Sequence, residues 1–360
     1  MLIYREKKVA AVLKKLFSRK PLSQVELLGS GARFEVGRNQ TILECALAKG
    51  IAYPHDCTVG TCGRCRSRLV EGRVDAITPF GYTLSREELA EGYILACQAV
   101  PLSDVRIDVE LETPGQAPSR QPARLVGVRD LTHDIKHVTW QVEQPVRYRA
   151  GQYMNVLWPG APGPRSYSFS AAPDHDKGLS RLSAFVRKVP GGAFTERLFG
   201  EDLRDILFEI EAPHGGFWLR EGAGPILLVG GGSGLSPLMS LLEDAANRRL
   251  ERDVVLLFGA RGERDLYCLD EIAAIASRWR GRFEFRPILS EEKVAGRLHG
   301  LVTQHIPKVI ADLGEDSGLQ GYLCGPPPMI DAGVAAMTAH GVALGDIHYD
   351  KFTDASSRGS

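Results

Sequence analysis

The chain reads as a multidomain protein of α+β and α/β type. It joins a small α+β domain, an antiparallel β-barrel and a parallel, doubly wound sheet. Three observations predict this. A hairpin and a short helix precede a cysteine-rich loop in the first third. A run of short β segments with a single helix among them fills the middle. The last third alternates apolar strand-like runs with helical patterns, the rhythm of a parallel sheet. The expected divisions are a basic segment 1–22, a domain 23–113, a linker 114–122, a barrel 123–222, a nucleotide domain 223–352 and a flexible tail 353–360.

Composition narrows the function classes. The 360 residues carry 44 Lys+Arg and 44 Asp+Glu, so no global charge points to nucleic acid. No apolar run reaches the ~18 residues of a membrane span. The first residues lack the apolar core of a secretory signal. Seven cysteines are too sparse for a disulfide scaffold. These readings place the protein in the cytoplasm.

In segment 1–20, Val9, Val12, Leu13, Leu16 and Phe17 share one helical face, with Lys7, Lys8, Lys14 and Lys15 mostly off it. Two readings stand. The segment packs on its own protein, or it lies as a basic amphipathic helix on a membrane surface or partner. Pro21 should stop it.

In the first domain, Gln24–Leu28 and Arg33–Val36 predict a hairpin around Gly29-Ser30-Gly31, and Thr41–Ala48 a short helix ending at Gly50. The Pro-, Gly- and Ser-containing stretch TPGQAPSRQP predicts the linker. In the barrel region the expected strands are Arg124–Val128, His137–Gln141, Gln152–Leu157, Arg165–Ser170, Leu182–Val189 and Phe208–Ala212, with one helix near 193–200. In the last region they are Pro225–Val229, Val254–Phe258, Phe283–Ile288 and Gly321–Leu323, alternating with helices such as Pro237–Asn247 and Ile330–Ala339.

The chemistry-bearing residues begin with cysteines. Cys57, Cys62 and Cys65 crowd one loop as C-x4-C-x2-C, and Cys97 follows 32 residues later. This is the spacing of a plant-type [2Fe–2S] cluster, in which four thiolates hold two irons. Gly60 and Gly63 let the backbone wrap close enough to aim N–H groups at sulfur, and Arg64 and Arg66 add charge that helps set the potential. A four-cysteine zinc knuckle would pair two short knuckles, whereas here the fourth cysteine is solitary. Cys45 lies in the apolar pattern ILECALA and is expected in the core.

A second group is Arg165-Ser166-Tyr167-Ser168. A flavin needs a cation for its pyrophosphate, a flat partner and a small donor near its reactive nitrogen, and these types fall within four residues. Further on, VRKVPGGAFT sets Gly191-Gly192 before a helix with Thr195 in its first turn, where N–H groups can meet phosphate. A third group is PILLVGGGSGLSP, which runs from strand through a glycine-rich turn into a helix. It departs from G-x-G-x-x-G, yet Gly230, Gly231, Gly232 and Gly234 would allow close phosphate approach. GYLCGPPPM ends the last expected parallel strand at Cys324, whose small side chain could border a nicotinamide ring. In FGARGERD, Arg261 and Arg264 suit a 2′-phosphate while Glu263 and Asp265 repel it, so the residues leave NADH against NADPH open.

Taken in order, QTILECALAKGIAYPHDCTVGTCGRC, RSYSFSA, VRKVPGG, FGAR with RDLYCLDEI, and GYLCGPPPMIDA resemble the oxygenase reductases. In that family a plant-type ferredoxin domain is joined to a ferredoxin–NADP reductase-like module. More narrowly they resemble the reductases of xylene (toluene side-chain) monooxygenases. The resemblance spans most of residues 22–352 and implies a β-grasp ferredoxin fold for the first domain, with FAD, NADH and a [2Fe–2S] cluster as cofactors. It assigns Arg165, Ser166, Tyr167, Ser168, Val186, Arg187, Gly191, Gly192 and Thr195 to the flavin. Phe352 is the aromatic residue that would cover it, although here eight residues follow. It assigns Gly231, Ser233, Gly234, Arg261, Cys324, Gly325, Pro326 and Met329 to NADH, and places Ser168, Cys324 and Phe352 at the site of hydride transfer. It implies an oxygenase partner, either a Rieske enzyme or a di-iron hydroxylase that is soluble or embedded in the membrane. Residues 1–20 would then add peripheral contact with the inner membrane face. A stand-alone flavin or ferric reductase would not need the ferredoxin domain. A zinc-stabilised binding module would lack visible colour.

Overall fold

A computed structural model describes residues 22–55, 60, 63–111, 118–160, 163–314 and 318–352. The helix expected within 1–20, Cys57, Cys62 and the tail 353–360 lie outside the described residues. The chain divides into two compact units, Met1–Glu112 and Thr113–Ser360.

In chain order the first unit forms β1 (Ser23–Leu28), β2 (Arg33–Val36), helix α1 (Ile42–Ala48), β3 (Arg66–Glu71), β4 (Val74–Ala76), helix α2 (Arg86–Ala90), β5 (Tyr93–Leu95), β6 (Ala99–Pro101) and β7 (Val105–Asp108). The main sheet has the order β2-β1-β7-β3-β5. β1 and β7 run parallel from Val25↔Val105, and the other pairs are antiparallel. Alternation decides which side is buried: Val25 and Leu27 on β1 and Phe34 and Val36 on β2 enter the core, and their neighbours face outward. Helix α1 starts where the Thr41 hydroxyl accepts the Glu44 N–H at 3.1 Å, and it lays Ile42, Leu43, Cys45 and Ala46 on the sheet. Cys45 is thus a core residue, as its pattern predicted.

The second unit opens with β8 (Ser119–Asp130), β9 (Ile135–Val146), β10 (Tyr153–Leu157), β11 (Arg165–Ser168), β12 (Leu179–Arg187), helix α3 (Thr195–Gly200) and β13 (Leu207–His214). These strands form an antiparallel sheet of order β11-β10-β13-β8-β9-β12. A bridge between Phe169 and Ala184 brings its two edges together into a nearly closed barrel. Trp140, Met154, Phe169, Phe194 and Phe208 fill it.

The same unit continues with β14 (Ile226–Gly231), helix α4 (Leu235–Asn247), β15 (Val254–Ala260), helix α5 (Leu269–Arg278), β16 (Phe283–Leu289), β17 (Leu298–His299), helix α6 (Ile306–Leu313), β18 (Gln320–Gly325), helix α7 (Pro327–Ala339) and β19 (Ile347–Lys351). All pairs are parallel, in the order β17-β16-β15-β14-β18-β19. The central run ILLVGG of β14 is buried almost throughout, as a strand covered on both faces must be. α4 packs with α5 and α6 with α7. The strand order reverses between β14 and β18, which makes their carboxyl ends a crevice.

Three expectations need correction. The linker was drawn too long, because Ser119–Pro122 already pair with β13, from Ser119↔Ala212 to Pro122↔Glu209. Pro122 is tolerated in the strand because its neighbours carry the pairing. Gly230 and Gly231 belong to β14 rather than to the turn, and a Cβ on Gly230 would press to 2.8 Å from Leu238 Cδ1. Cys324 does not end the last parallel strand, because β19 adds beyond β18 with Cys324 opposite Asp350. IHYDK has too few apolar residues to announce a strand.

Helix α2 illustrates how a short element is held. Ser85 and Glu88 cap it reciprocally: the Glu88 N–H donates to the Ser85 hydroxyl at 3.2 Å, and the Ser85 N–H to Glu88 Oε2 at 2.8 Å. Glu88 is fully buried and also accepts from Arg66. Removing one partner of a buried charge pair costs about 3–5 kcal/mol, whereas losing an N-cap hydroxyl costs about 1 kcal/mol. Pulse proteolysis in urea should therefore show the midpoint of the first unit falling several times further in Glu88→Ala than in Ser85→Ala.

Candidate functional site

The β3–β5 pairing brings together cysteines that are far apart in sequence. Arg66 lies opposite Leu95, so Cys65, just before β3, meets Ala96 and Cys97, just after β5. The Ala96 N–H donates to Cys65 O at 3.1 Å, and the Cys97 N–H points at Cys65 Sγ at 3.4 Å. Both thiols are buried. The Gln98 amide is 3.8 Å from Cys97 Sγ. Gly60 and Gly63 hold φ of 82° and 72°, left-handed values that suit glycine. A Cβ on Gly60 would strike the Gln98 side chain at 2.7 Å. The Thr83 hydroxyl donates to Gly60 O at 2.5 Å and anchors this loop. Buried sulfurs approached by N–H donors on a tightly wrapped backbone fit a [2Fe–2S] cluster. Cys57 and Cys62, its other expected ligands, lie outside the described residues.

In the barrel, Arg165 and Tyr167 alternate with Ser166 and Ser168 along β11. The Arg165 guanidinium makes bonds to the Pro164 and Gly163 carbonyls at 3.0 and 3.4 Å and has no carboxylate partner among the described residues. A half-buried cation without a counter-ion fits a pyrophosphate. Tyr167 packs toward Trp140, at 6.2 Å and 22°, and toward Phe194. Burial keeps its phenol protonated far above the ordinary tyrosine range. Ser166 is exposed and donates to Asn155. The Val186 side chain lies inside the barrel core, so only its backbone is available to a cofactor. The Thr195 hydroxyl is committed to the VPGG turn, accepting from Val189 N–H at 3.0 Å and donating to Val189 O at 3.1 Å. Nothing lies within 4 Å of a Cβ placed on Gly191, whereas one placed on Gly192 would strike Thr195 Oγ1 at 2.6 Å.

The nucleotide crevice is shaped by close approaches. A Cβ on Gly234 would sit 2.1 Å from Cys324 O, so only glycine lets α4 begin this near β18. Met329 bridges the crevice: its sulfur would lie 2.7 Å from a Cβ on Gly231, and its methyl 2.8 Å from one on Gly325. Helix α4 has no side-chain cap, but its Leu235 N–H bonds back to the Gly232 and Ser233 carbonyls and Pro237 has no N–H, so the close-packed glycine turn, rather than a row of free helix N–H groups, is what meets a phosphate here. This geometry fits a dinucleotide pyrophosphate. Ser233 is half-buried in the turn, and Pro326 precedes α7. Cys324 is completely buried, and burial, reinforced by nearby Asp350, pushes its thiol well above the ordinary range. Burial thus favours its neutral form.

Strand β11 and the parallel sheet meet at this crevice. Ser168 Oγ donates to Asp350 Oδ2 at 3.2 Å, and Asp350 is the register partner of Cys324. The Ser236 hydroxyl on α4 donates to Ser168 O at 2.8 Å and accepts the Phe185 N–H at 3.1 Å. The Phe352 N–H donates to Gly325 O at 2.8 Å, and its partly buried side chain packs against the core of this lobe. Ser168 thus contacts the register partner of Cys324, and Phe352 bonds to the residue after Cys324. Asp350 and Ser236 were missed. Neither belongs to a recognisable spacing, and only the assembled fold brings them to Ser168.

Arg261 does not stand open to the crevice. It donates to Asp134 Oδ2 at 3.0 Å and to Asp265 Oδ1 at 3.4 Å. Arg187 donates from Nε to the same Asp134 oxygen at 3.1 Å. Burial alone would raise the Asp134 carboxyl, but Arg187, with hydrogen bonds from Thr132 and Arg187, holds it below the usual carboxylate range. His133, Asp134 and Asp265 gather their ligand atoms closely, yet two guanidinium groups already supply the positive charge there.

Comparison with known proteins follows this geometry. Residues 25–102 match the 2Fe-2S iron-sulfur cluster binding domain, and residues 228–334 the oxidoreductase NAD-binding domain. The chain is 41% identical over 343 residues to the xylene/toluene monooxygenase electron transfer component of Pseudomonas putida, covering 94% of this chain and 95% of that protein. It is 37% identical to the reductase subunit of an Amycolatopsis aromatic O-demethylase, covering 91% and 98%. Among solved structures, the Amycolatopsis cytochrome P450 reductase superposes with a TM-score of 0.68 at 35% identity, covering 92% of this chain and 99% of that one. The ferredoxin reductase of carbazole 1,9a-dioxygenase does so at 0.62 and 30%, with the same coverage. The chain belongs to the family of oxygenase reductases, in which a plant-type [2Fe–2S] ferredoxin domain is joined to a flavin- and NAD-binding reductase module.

Proposed function

We propose that the protein oxidises NADH and delivers the electrons singly, through FAD and the [2Fe–2S] cluster, to a separate oxygenase. The observation that carries this reading is the Ser168–Asp350 contact. It sets the flavin strand against the carboxyl ends of β18 and β19, so that both cofactor sites open on one crevice. When bound, FAD accepts a hydride from NADH and releases electrons one at a time, and the cluster takes them singly.

The protein's own residues position and insulate. Arg165 would neutralise the flavin pyrophosphate, and the small turn Gly191-Gly192, braced by Thr195, would let the chain pass close to it, its own N–H groups being held by Glu196 Oε1 and Val189 O at 3.2 and 2.9 Å. Ser168 holds a hydroxyl at the reacting edge, where Asp350 orients it. The glycine turn that precedes α4 would receive the NADH pyrophosphate. Cys324 offers a small, neutral surface to the nicotinamide, and Phe352 excludes water at the crevice edge. Cys57, Cys62, Cys65 and Cys97 hold the cluster. The domain limits that follow are a ferredoxin domain up to residue 113, a flavin domain ending near 222 and a nucleotide domain ending near 352.

For the partner, the likeness to the xylene/toluene monooxygenase component supports an aromatic-hydrocarbon monooxygenase. The charge distribution supports membrane proximity. Residues 1–20 carry seven basic side chains and one acidic one, a net +6, so with a whole-chain total of zero the remaining residues carry −6. Among the described residues no helix is long and apolar enough to cross a membrane. Contact would therefore be peripheral, through the basic amphipathic face of 1–20. Each basic residue near an anionic surface is worth about 1 kcal/mol.

Two measurements test these statements. Purified protein should hold about two irons and two acid-labile sulfides. Cys97→Ser should lose the cluster spectrum while NADH still bleaches the flavin. Stoichiometric zinc in place of iron would refute the cluster. Deleting residues 1–20 should leave NADH-to-dye activity unchanged and reduce co-sedimentation with anionic vesicles at low salt. Equal sedimentation of both forms would remove the membrane role, and a fall in dye activity would show that Leu13, Leu16 and Phe17 pack on the reductase.

A further inference from the structure

Arg261 is the first residue beyond β15, the second strand of the nucleotide sheet. In such sheets the carboxyl end of the second strand meets the adenosine ribose, where an acid accepts the 2′-hydroxyl of NADH or an arginine takes the 2′-phosphate of NADPH. By sequence, Arg261 is placed to be that arginine. Its surroundings in the fold say otherwise.

The guanidinium is drawn toward the barrel. Asp134 Oδ2 accepts from it at 3.0 Å and Asp265 Oδ1 at 3.4 Å. Asp134 belongs to the turn between β8 and β9, in the flavin lobe. Thr132 fixes it there, donating to Oδ1 at 3.0 Å, and Arg187 shares its other oxygen at 3.1 Å. The Arg261 carbonyl accepts the N–H groups of Glu291 and Glu292 at 2.9 and 3.2 Å. Glu292 in turn accepts the Glu263 N–H at 2.8 Å. The main chain thus draws Glu263, Glu291 and Glu292 to the same rim while two carboxylates occupy its arginine.

We propose that Asp134 sets the nucleotide preference, acting across the lobe boundary to hold Arg261 where it cannot engage a 2′-phosphate. NADH loses nothing by this arrangement, because its ribose offers hydroxyl groups to an acidic rim. NADPH would bring a dianion toward carboxylates whose nearest guanidinium is already paired. Asp134 is a positioning residue. It acts through Arg261 and need not touch the nucleotide. The inference rests on the NADH-oxidising reading above.

The test is steady-state reduction of a dye by the holoprotein with each nucleotide. NADH activity of the unmodified protein tests the underlying reading by itself. In Asp134→Asn the NADPH/NADH ratio of kcat/KM should rise about tenfold or more, the scale of one charge-assisted contact. The gain should appear as a lower KM for NADPH. Inhibition by 2′,5′-ADP should tighten by a similar factor, and inhibition by 5′-AMP should not. Adding Arg261→Gln to Asp134→Asn should abolish the gain. If Asp134→Asn does not retain flavin, Asp265→Asn removes the second carboxylate and carries the same expectation. The proposal is overturned if the ratio stays within about twofold of the unmodified protein, or if the gain survives the loss of Arg261.

Discussion

The Ser236 hydroxyl is a small group on which the reductase geometry hangs. It sits in the first turn of α4, donates to the backbone of Ser168 and accepts from the backbone of Phe185. Two barrel strands and one helix of the nucleotide sheet are thereby fixed to a common point, inside a seam where water does not compete. A buried hydrogen bond of this kind contributes about 1 kcal/mol net, but breaking it leaves donors and acceptors stranded at a larger cost. Its importance is geometric. Ser240 on the same helix repeats the device, donating to Ala171 O at 2.6 Å, so α4 is tied to the barrel at two successive turns.

Close approach is the second constraint, and glycine answers it. The start of α4 lies so near Cys324 that any side chain at 234 would collide with backbone. Gly231 and Gly325 yield their space to Met329, whose flexible thioether fills the irregular gap. The crevice is therefore narrow by construction and lined by main chain. That suits a ligand recognised through its phosphates and a ring that must lie flat against another. It also explains why the sequence departs from the usual glycine spacing. Gly230 and Gly231 serve strand packing, and only Gly232 and Gly234 shape the turn.

Much of this was legible in the sequence, and the parts that were not share a cause. Strand and helix periodicity located the barrel and the alternating sheet, because burial imposes those periods locally. The cysteine spacing pointed to the cluster, because three of its ligands lie in one loop. The extension of β8 into Ser119–Pro122 was hidden by proline and serine, residues that usually signal a loop. β19 was hidden because four of the five residues in IHYDK are polar or amphipathic. Arg261 was legible as a cation at a strand end, but its partner Asp134 lies 127 positions away. Local pattern reports what a residue can do. Only the assembled fold reports what its neighbours leave it free to do.

The same distinction governs the chemistry. Cys324, Asp350 and Ser168 might be taken for an acid–base or nucleophilic set, yet their environments deny that role. The Cys324 thiol is buried beside a carboxylate, both of which disfavour the thiolate, so it is a poor nucleophile. Among the described residues no histidine or lysine hydrogen-bonds to Ser168; its hydroxyl donates to Asp350 and its carbonyl accepts from Ser236. A site whose thiol and hydroxyl stay protonated, beside one carboxylate that orients the hydroxyl, suits a reaction in which bound cofactors exchange electrons and the protein supplies distance and alignment. On the other side of the lobe boundary the charges are dense and fully paired, around Asp134 and Arg261. The molecule gathers its paired arginines and carboxylates at the rim, where they can discriminate between nucleotides, and leaves Ser168 a single carboxylate, Asp350, as its partner.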